Sequence, residues 1–113
     1  MNDTLILDKA SILARLGGDE DLYGELVAMY LQEAAAYAQA LGEAFAATDA
    51  ARVQREAHTI KGLLATFSDE VGTEMALALE TRAKDGHFDA AAVEQLQARV
   101  HLLATVLQGD LAR

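Results

Sequence analysis

Apolar residues recur at steps of three and four along most of the chain, which is the period of an α-helix. The longest such run is Leu22, Leu26, Tyr30, Ala34, Tyr37, Leu41 and Phe45. It predicts an amphipathic helix of about seven turns, interrupted only weakly by Gly24 and Gly42. Asp19 is its expected N-cap, with Glu20 and Asp21 in the first turn, where the helix dipole favours acids. Upstream, LDKASILARLGG offers Asp8 as an N-cap, one apolar side made of Ile12, Leu13 and Leu16, and a stop at Gly17-Gly18. A third helix is expected after Thr48-Asp49, with Val53, Ala57, Ile60, Leu64 and Phe67 in one narrow arc. The fourth begins at Ser68 or Asp69, is expected to turn Val71, Met75, Ala78 and Leu79 inward, and ends at Lys84-Asp85-Gly86. The last starts at Asp89 and repeats Val93, Leu96, Val100, Leu103 and Leu107. The expected helices span 8–16, 20–47, 50–67, 69–84 and 90–108. Short connections make consecutive helices antiparallel. The pattern predicts an all-α fold, an up-down-up-down antiparallel four-helix bundle with a short N-terminal capping helix. Residues 1–113 read as a single domain with no internal repeat or linker.

Composition supports this reading and narrows the function. Of 113 residues 52% are hydrophobic and none is proline, which disfavours a β-rich domain built on prolyl turns. Without cysteine there is neither a disulfide nor a thiolate metal site. No apolar run reaches the length of a membrane span, and MNDTLILDKA lacks the basic-then-apolar order of a signal peptide, so a cytoplasmic location is expected. Met1 favours a freestanding protein. The net charge of −9 opposes nucleic-acid and anionic-membrane binding unless the basic groups cluster.

They do cluster on the third helix, which holds Arg52, Arg55 and Lys61 against Glu56 alone. That helix contains AHTIKG, Ala57 to Gly62. With Val53, Ala57, Ile60, Leu64 and Phe67 facing the core, His58 points about 140° from the core centre, into solvent. A side chain three positions on lies within one turn, so the Lys61 ammonium is placed to balance a negative group built on the imidazole. Glycine at plus four removes what would overhang the ring, although glycine in a helix interior costs roughly 1 kcal/mol against alanine. Gln54 and Arg55 flank the ring one turn before, and Ala51 and Ala65 lie on the same outer face. Neutral imidazole is a competent nucleophile near neutral pH, and a phosphoryl group on its outer nitrogen would sit where Lys61 can reach it. There is no Ser-His-Asp grouping, nucleotide-binding glycine loop or HExxH pair. The acids near His58 are scattered, Glu56 chief among them, and no metal site is expected. An idle surface histidine is the plain alternative, and His87 and His101, which lack the cation and glycine, illustrate it.

AHTIKG resembles the Ala-His-x-aliphatic-Lys-Gly motif of the histidine-containing phosphotransfer (HPt) domains of bacterial two-component phosphorelays. ILARLGGDEDLYGELVAMYLQEA, LGEAFAATDAARVQREAH and ALALETRAKDGHFD are similar to the family's flanking segments, the last with Glu80 and the Asp85-Gly86 stop. The resemblance implies a four-helix bundle phosphorylated at His58 Nε2, with Lys61 steadying the phosphoryl group and Gly62 giving a partner access. It implies receiver domains of response regulators, a hybrid histidine kinase, or both, as partners. The carrier itself would have no cofactor and no autonomous kinase activity, Mg2+ being expected on the partner receiver. Ser68 stands where the family has a glycine, which puts the local turn in question, and Leu63 is expected at a helix–helix margin.

Partner binding is expected around His58 through Gln54, Arg55 and Ala65, with Val27 and Leu31 as exposed apolar contacts on the second helix. A monomer is expected. Two other readings stay open on the residues: a helical docking module for a receiver or kinase that is never phosphorylated, and an enzyme with a histidine nucleophile, which would need a concave pocket.

Overall fold

Asp8, Asp19, Asp49, Asp69 and Asp89 each precede a helix, and each accepts a hydrogen bond from the backbone N–H three residues on. This satisfies one of the donors that a helix start leaves orphaned. The computed structural model describes residues 4–112. It contains α1 (Lys9–Arg15), α2 (Glu20–Ala46), α3 (Ala50–Thr66), α4 (Glu70–Lys84) and α5 (Ala90–Leu111).

Helix ends are as economical as the starts. Thr48, Ser68 and Gly86 take left-handed backbone angles, with φ of 53°, 58° and 80°. In each case the next residue's N–H turns back to a carbonyl in the last helical turn: Asp49 to Ala44, Asp69 to Leu64 and His87 to Arg82. This is the Schellman ending, whose left-handed position is usually glycine. Ser68 therefore adopts the glycine-like conformation itself. Asp49 and Asp69 close one helix and cap the next, so α2–α3 and α3–α4 reverse direction within a few residues.

Helices α2 to α5 form a closed ring of neighbours, α2 on α3 and α5, and α4 on α3 and α5, while α1 packs against α2. Buried side chains fill the centre, among them Leu41, Val53, Ile60, Leu64, Leu79, Leu96, Leu103 and Leu107. Tyr30 sets its ring edge-on to Phe67, with centroids 5.3 Å apart, and donates its hydroxyl to the Val100 carbonyl at 2.7 Å. Beneath the N-terminal segment, Arg99 and Asp69 form a buried ion pair through two hydrogen bonds of 2.8 and 2.6 Å, and Arg99 also donates to the Thr4 carbonyl. Arg15 fastens α1 to the end of α3, donating to the Ala65 and Thr66 carbonyls and to Ser68 Oγ.

Two apolar stripes differ from the expected ones. On α2 the buried positions are Tyr23, Val27, Tyr30, Ala34, Ala38, Leu41 and Ala44, while Leu22 is exposed and Leu26, Tyr37 and Phe45 are half-buried. On α4 they are Gly72, Ala76, Leu79 and Ala83; Val71 and Ala78 are exposed and Met75 is half-buried. The small residues let α4 lie close: a Cβ on Gly72 would collide with the Asp69 carboxylate and with Leu64. On α3 and α5 the expected stripes are the buried ones. Leu63 is half-buried against the core.

Candidate functional site

The buried arc of α3 runs through Val53, Ala57, Ile60 and Leu64, so the helical period leaves His58 on the outer surface. Its side chain is 65% exposed. Helical side chains lean toward the N-terminus, and the ring accordingly shares a shallow open groove with Ala51, Gln54, Arg55 and Thr59 of α3 and Glu80 of α4.

Glu80 organises the site. One carboxylate oxygen, Oε2, is 2.8 Å from His58 Nδ1, and the other, Oε1, is 2.8 Å from Lys61 Nζ. The Lys61 ammonium, followed by His58, holds the Glu80 carboxyl below its ordinary range, against the opposing effect of burial. An ionised carboxylate only accepts hydrogen bonds, so the 2.8 Å contact requires the ring proton on Nδ1. When the ring is neutral, Nε2 is then the nitrogen left with the lone pair, on a largely exposed side chain.

Gly62 lies one turn beyond the histidine and is exposed; a Cβ there would meet nothing within 4 Å. The fold itself does not demand glycine at this position. What its bare backbone preserves is space outside the molecule.

The residues expected at the site divide into two groups. His58, Gln54 and Arg55 line one groove, and Lys61 joins them through Glu80. Ala65 is exposed but lies in a separate depression with Arg15, Ser68, Glu70, Thr73 and Glu74. Val27 is fully buried and Leu31 half-buried, so Val27 offers no contact surface; the α2 phase that would expose it is wrong by about one residue. Glu80 is the site residue that the helical pattern did not place beside His58. Its partner lies 22 positions away; the resemblance of ALALETRAKDGHFD marks Glu80 as a family position, but periodicity shows it only as a charge bordering the buried stripe of α4.

Among the described residues no group of three or more histidine, cysteine, aspartate or glutamate side chains is arranged to hold a metal ion. Nor is any helix among them long and apolar enough to cross a membrane.

The family model of the Hpt domain matches residues 25–106. Among solved structures, the chain is similar to histidine-containing phosphotransfer protein B (HptB) from Pseudomonas aeruginosa PAO1, with a TM-score of 0.82 and 21% identity over 92% of each chain. At that identity the likeness is one of fold. No curated protein matches the chain by sequence.

Proposed function

The chain belongs to the Hpt domain family, and from that premise and the geometry at His58 we propose that it carries a phosphoryl group on His58 Nε2 and exchanges it with receiver-domain aspartates. The observation that carries this reading is the 2.8 Å contact between His58 Nδ1 and Glu80 on an otherwise exposed ring. It fixes the tautomer whose outer nitrogen is nucleophilic, as a buried carboxylate does for the histidine of a catalytic triad.

In the accepting direction, the Nε2 lone pair forms a bond to phosphorus as the phosphorus–oxygen bond of an aspartyl phosphate breaks. The departing electron pair returns to the aspartate carboxylate. The Nδ1 proton stays in place, and the positive charge that develops on the ring faces the Glu80 carboxylate. In the donating direction a carboxylate oxygen of the receiver aspartate forms the bond to phosphorus as the phosphorus–nitrogen bond breaks, the bond's electrons return to Nε2, and the ring leaves as neutral imidazole rather than imidazolate. Lys61, one turn from the ring and paired with Glu80, adds the positive charge that a phosphoryl dianion needs. Gly62 keeps the approach clear.

Phosphoryl transfer is largely positioning and charge stabilisation. The chain supplies a nucleophile, its orienting acid and a cation. Mg2+ is expected on the receiver, and the initial kinase chemistry on a histidine kinase. The test is transfer of acid-labile label from a phosphorylated receiver to wild-type protein and to His58→Gln. Label on the wild type that the substitution abolishes supports the reading; equal labelling of both, or of neither, refutes it.

A further inference from the structure

The negative charge of this protein is unevenly placed. Helix α2 carries Glu20, Asp21, Glu25, Glu33 and Glu43 and not one lysine or arginine. The cations near the ends of the bundle are engaged: Lys9 with Glu20 and Asp110, Arg15 with the end of α3, and Arg99 with Asp69. Lys61 is engaged with Glu80. By contrast, Arg52, Arg55, Arg82 and Lys84 have no hydrogen-bonded or ion-paired side-chain partner among the described residues, and all four lie on α3 and α4.

One of them lines the histidine groove, and helical spacing puts a second one turn beyond it on α4. Arg55 is exposed and lines it directly, three residues before His58. Lys84 is exposed and stands four residues after Glu80, one turn along the same face of α4. Because α3 and α4 are antiparallel, that turn runs toward the start of α3, the end of the groove where Ala51, Gln54 and Arg55 lie. The opposite end of α4 carries Glu70 and Glu74. The groove therefore has a cationic end beside His58, next to an α2 surface that repels acids.

We infer that Arg55 and Lys84 are specificity-determining residues that select receiver domains presenting acidic side chains at this end of the groove. The inference rests on the phosphocarrier reading and names the chemistry of its partner. Charges placed this way act on encounter and register: they draw an acidic partner to α3–α4, away from α2, and align it along the groove. A partner that is neutral or basic at that position loses both effects.

The test separates docking from chemistry by using two phosphoryl donors. Phosphoramidate is small and needs no docking surface, so Arg55→Glu/Lys84→Glu should slow loading of His58 from it far less than it slows exchange with a receiver. Transfer from the loaded double variant to a purified, Mg2+-loaded receiver that accepts rapidly from wild type should fall about tenfold or more at low salt, through KM rather than kcat. The deficit should shrink as ionic strength rises, and Arg55→Lys alone, which keeps the charge, should retain most of the wild-type rate. An unchanged rate to the receiver overturns the inference, as does a loss that is equal for phosphoramidate and receiver. If wild-type protein loads nothing on His58 from either donor, the phosphocarrier reading fails first and takes this inference with it.

Discussion

Glu80 reaches across from α4 to stand 2.8 Å from His58 Nδ1, and the same carboxylate holds Lys61 at 2.8 Å on its other oxygen. One acid thereby holds the imidazole and the ammonium together. Glu80→Ala should release the ring to a mixture of tautomers, read as a change in the 15N shifts of the two ring nitrogens. Phosphoryl transfer should slow by about tenfold or more, the usual scale for losing an orienting partner. Glu80→Gln keeps an acceptor oxygen for Nδ1–H and should lose less. Unaltered ring shifts in Glu80→Ala would contradict the orienting role.

The same carboxylate gives a pH dependence to stability. Its folded-state value is lowered, chiefly by Lys61, so ionised Glu80 favours the folded protein. Its contribution is complete above the ordinary value of 4.5 and is lost as pH falls through the lowered one. Denaturant unfolding of wild type and Glu80→Gln should therefore differ most above that value and converge in more acidic buffer. A gap that widens on acidification would have the wrong sign.

Gly62 is expected to separate stability from function. Because an added Cβ meets nothing, Gly62→Ala should stabilise the helix by about 1 kcal/mol. The same methyl group occupies the approach to His58 and should slow transfer to a receiver while sparing phosphoramidate loading. A glycine kept for folding would give the opposite result, a lower melting temperature with transfer intact.

Much of the fold is legible in the sequence because its punctuation is local. Five aspartates announce five helix starts, and α5 shows its buried stripe through Val93, Leu96, Val100, Leu103 and Leu107, large residues with few competitors. On α2 the signal fails for a physical reason. Alanines fill so many positions that several arcs are equally apolar, and the choice between Leu22-Leu26 and Tyr23-Val27 is made by packing against α3 and α5. On α4 the close approach to α3 selects Gly72, Ala76 and Ala83 for burial, which hydrophobicity alone ranks below Val71 and Leu77. Within the site, His58, Lys61 and Gly62 are legible because they share one helix. Glu80 belongs to the next, and no periodicity reports a contact between helices.

Val27 turns that misplacement into a measurement. The side chain is fully buried, so Val27→Asp places an unpaired charge in the core and should destabilise the bundle by at least about 3 kcal/mol. Leu22→Asp, on the exposed face of the same helix, should change stability by less than about 1 kcal/mol. Urea unfolding of the two variants should rank them in that order, and equal midpoints would contradict the orientation of α2.

One outward-facing nitrogen, His58 Nε2, is proposed to accept phosphate. Fragmentation mass spectrometry, run under neutral conditions on protein loaded by a phosphorylated receiver, tests it most directly. The label is predicted on His58 alone, bonded through nitrogen and absent from His58→Gln. Label on His87 or His101, label on an oxygen side chain, or none on any residue would contradict it.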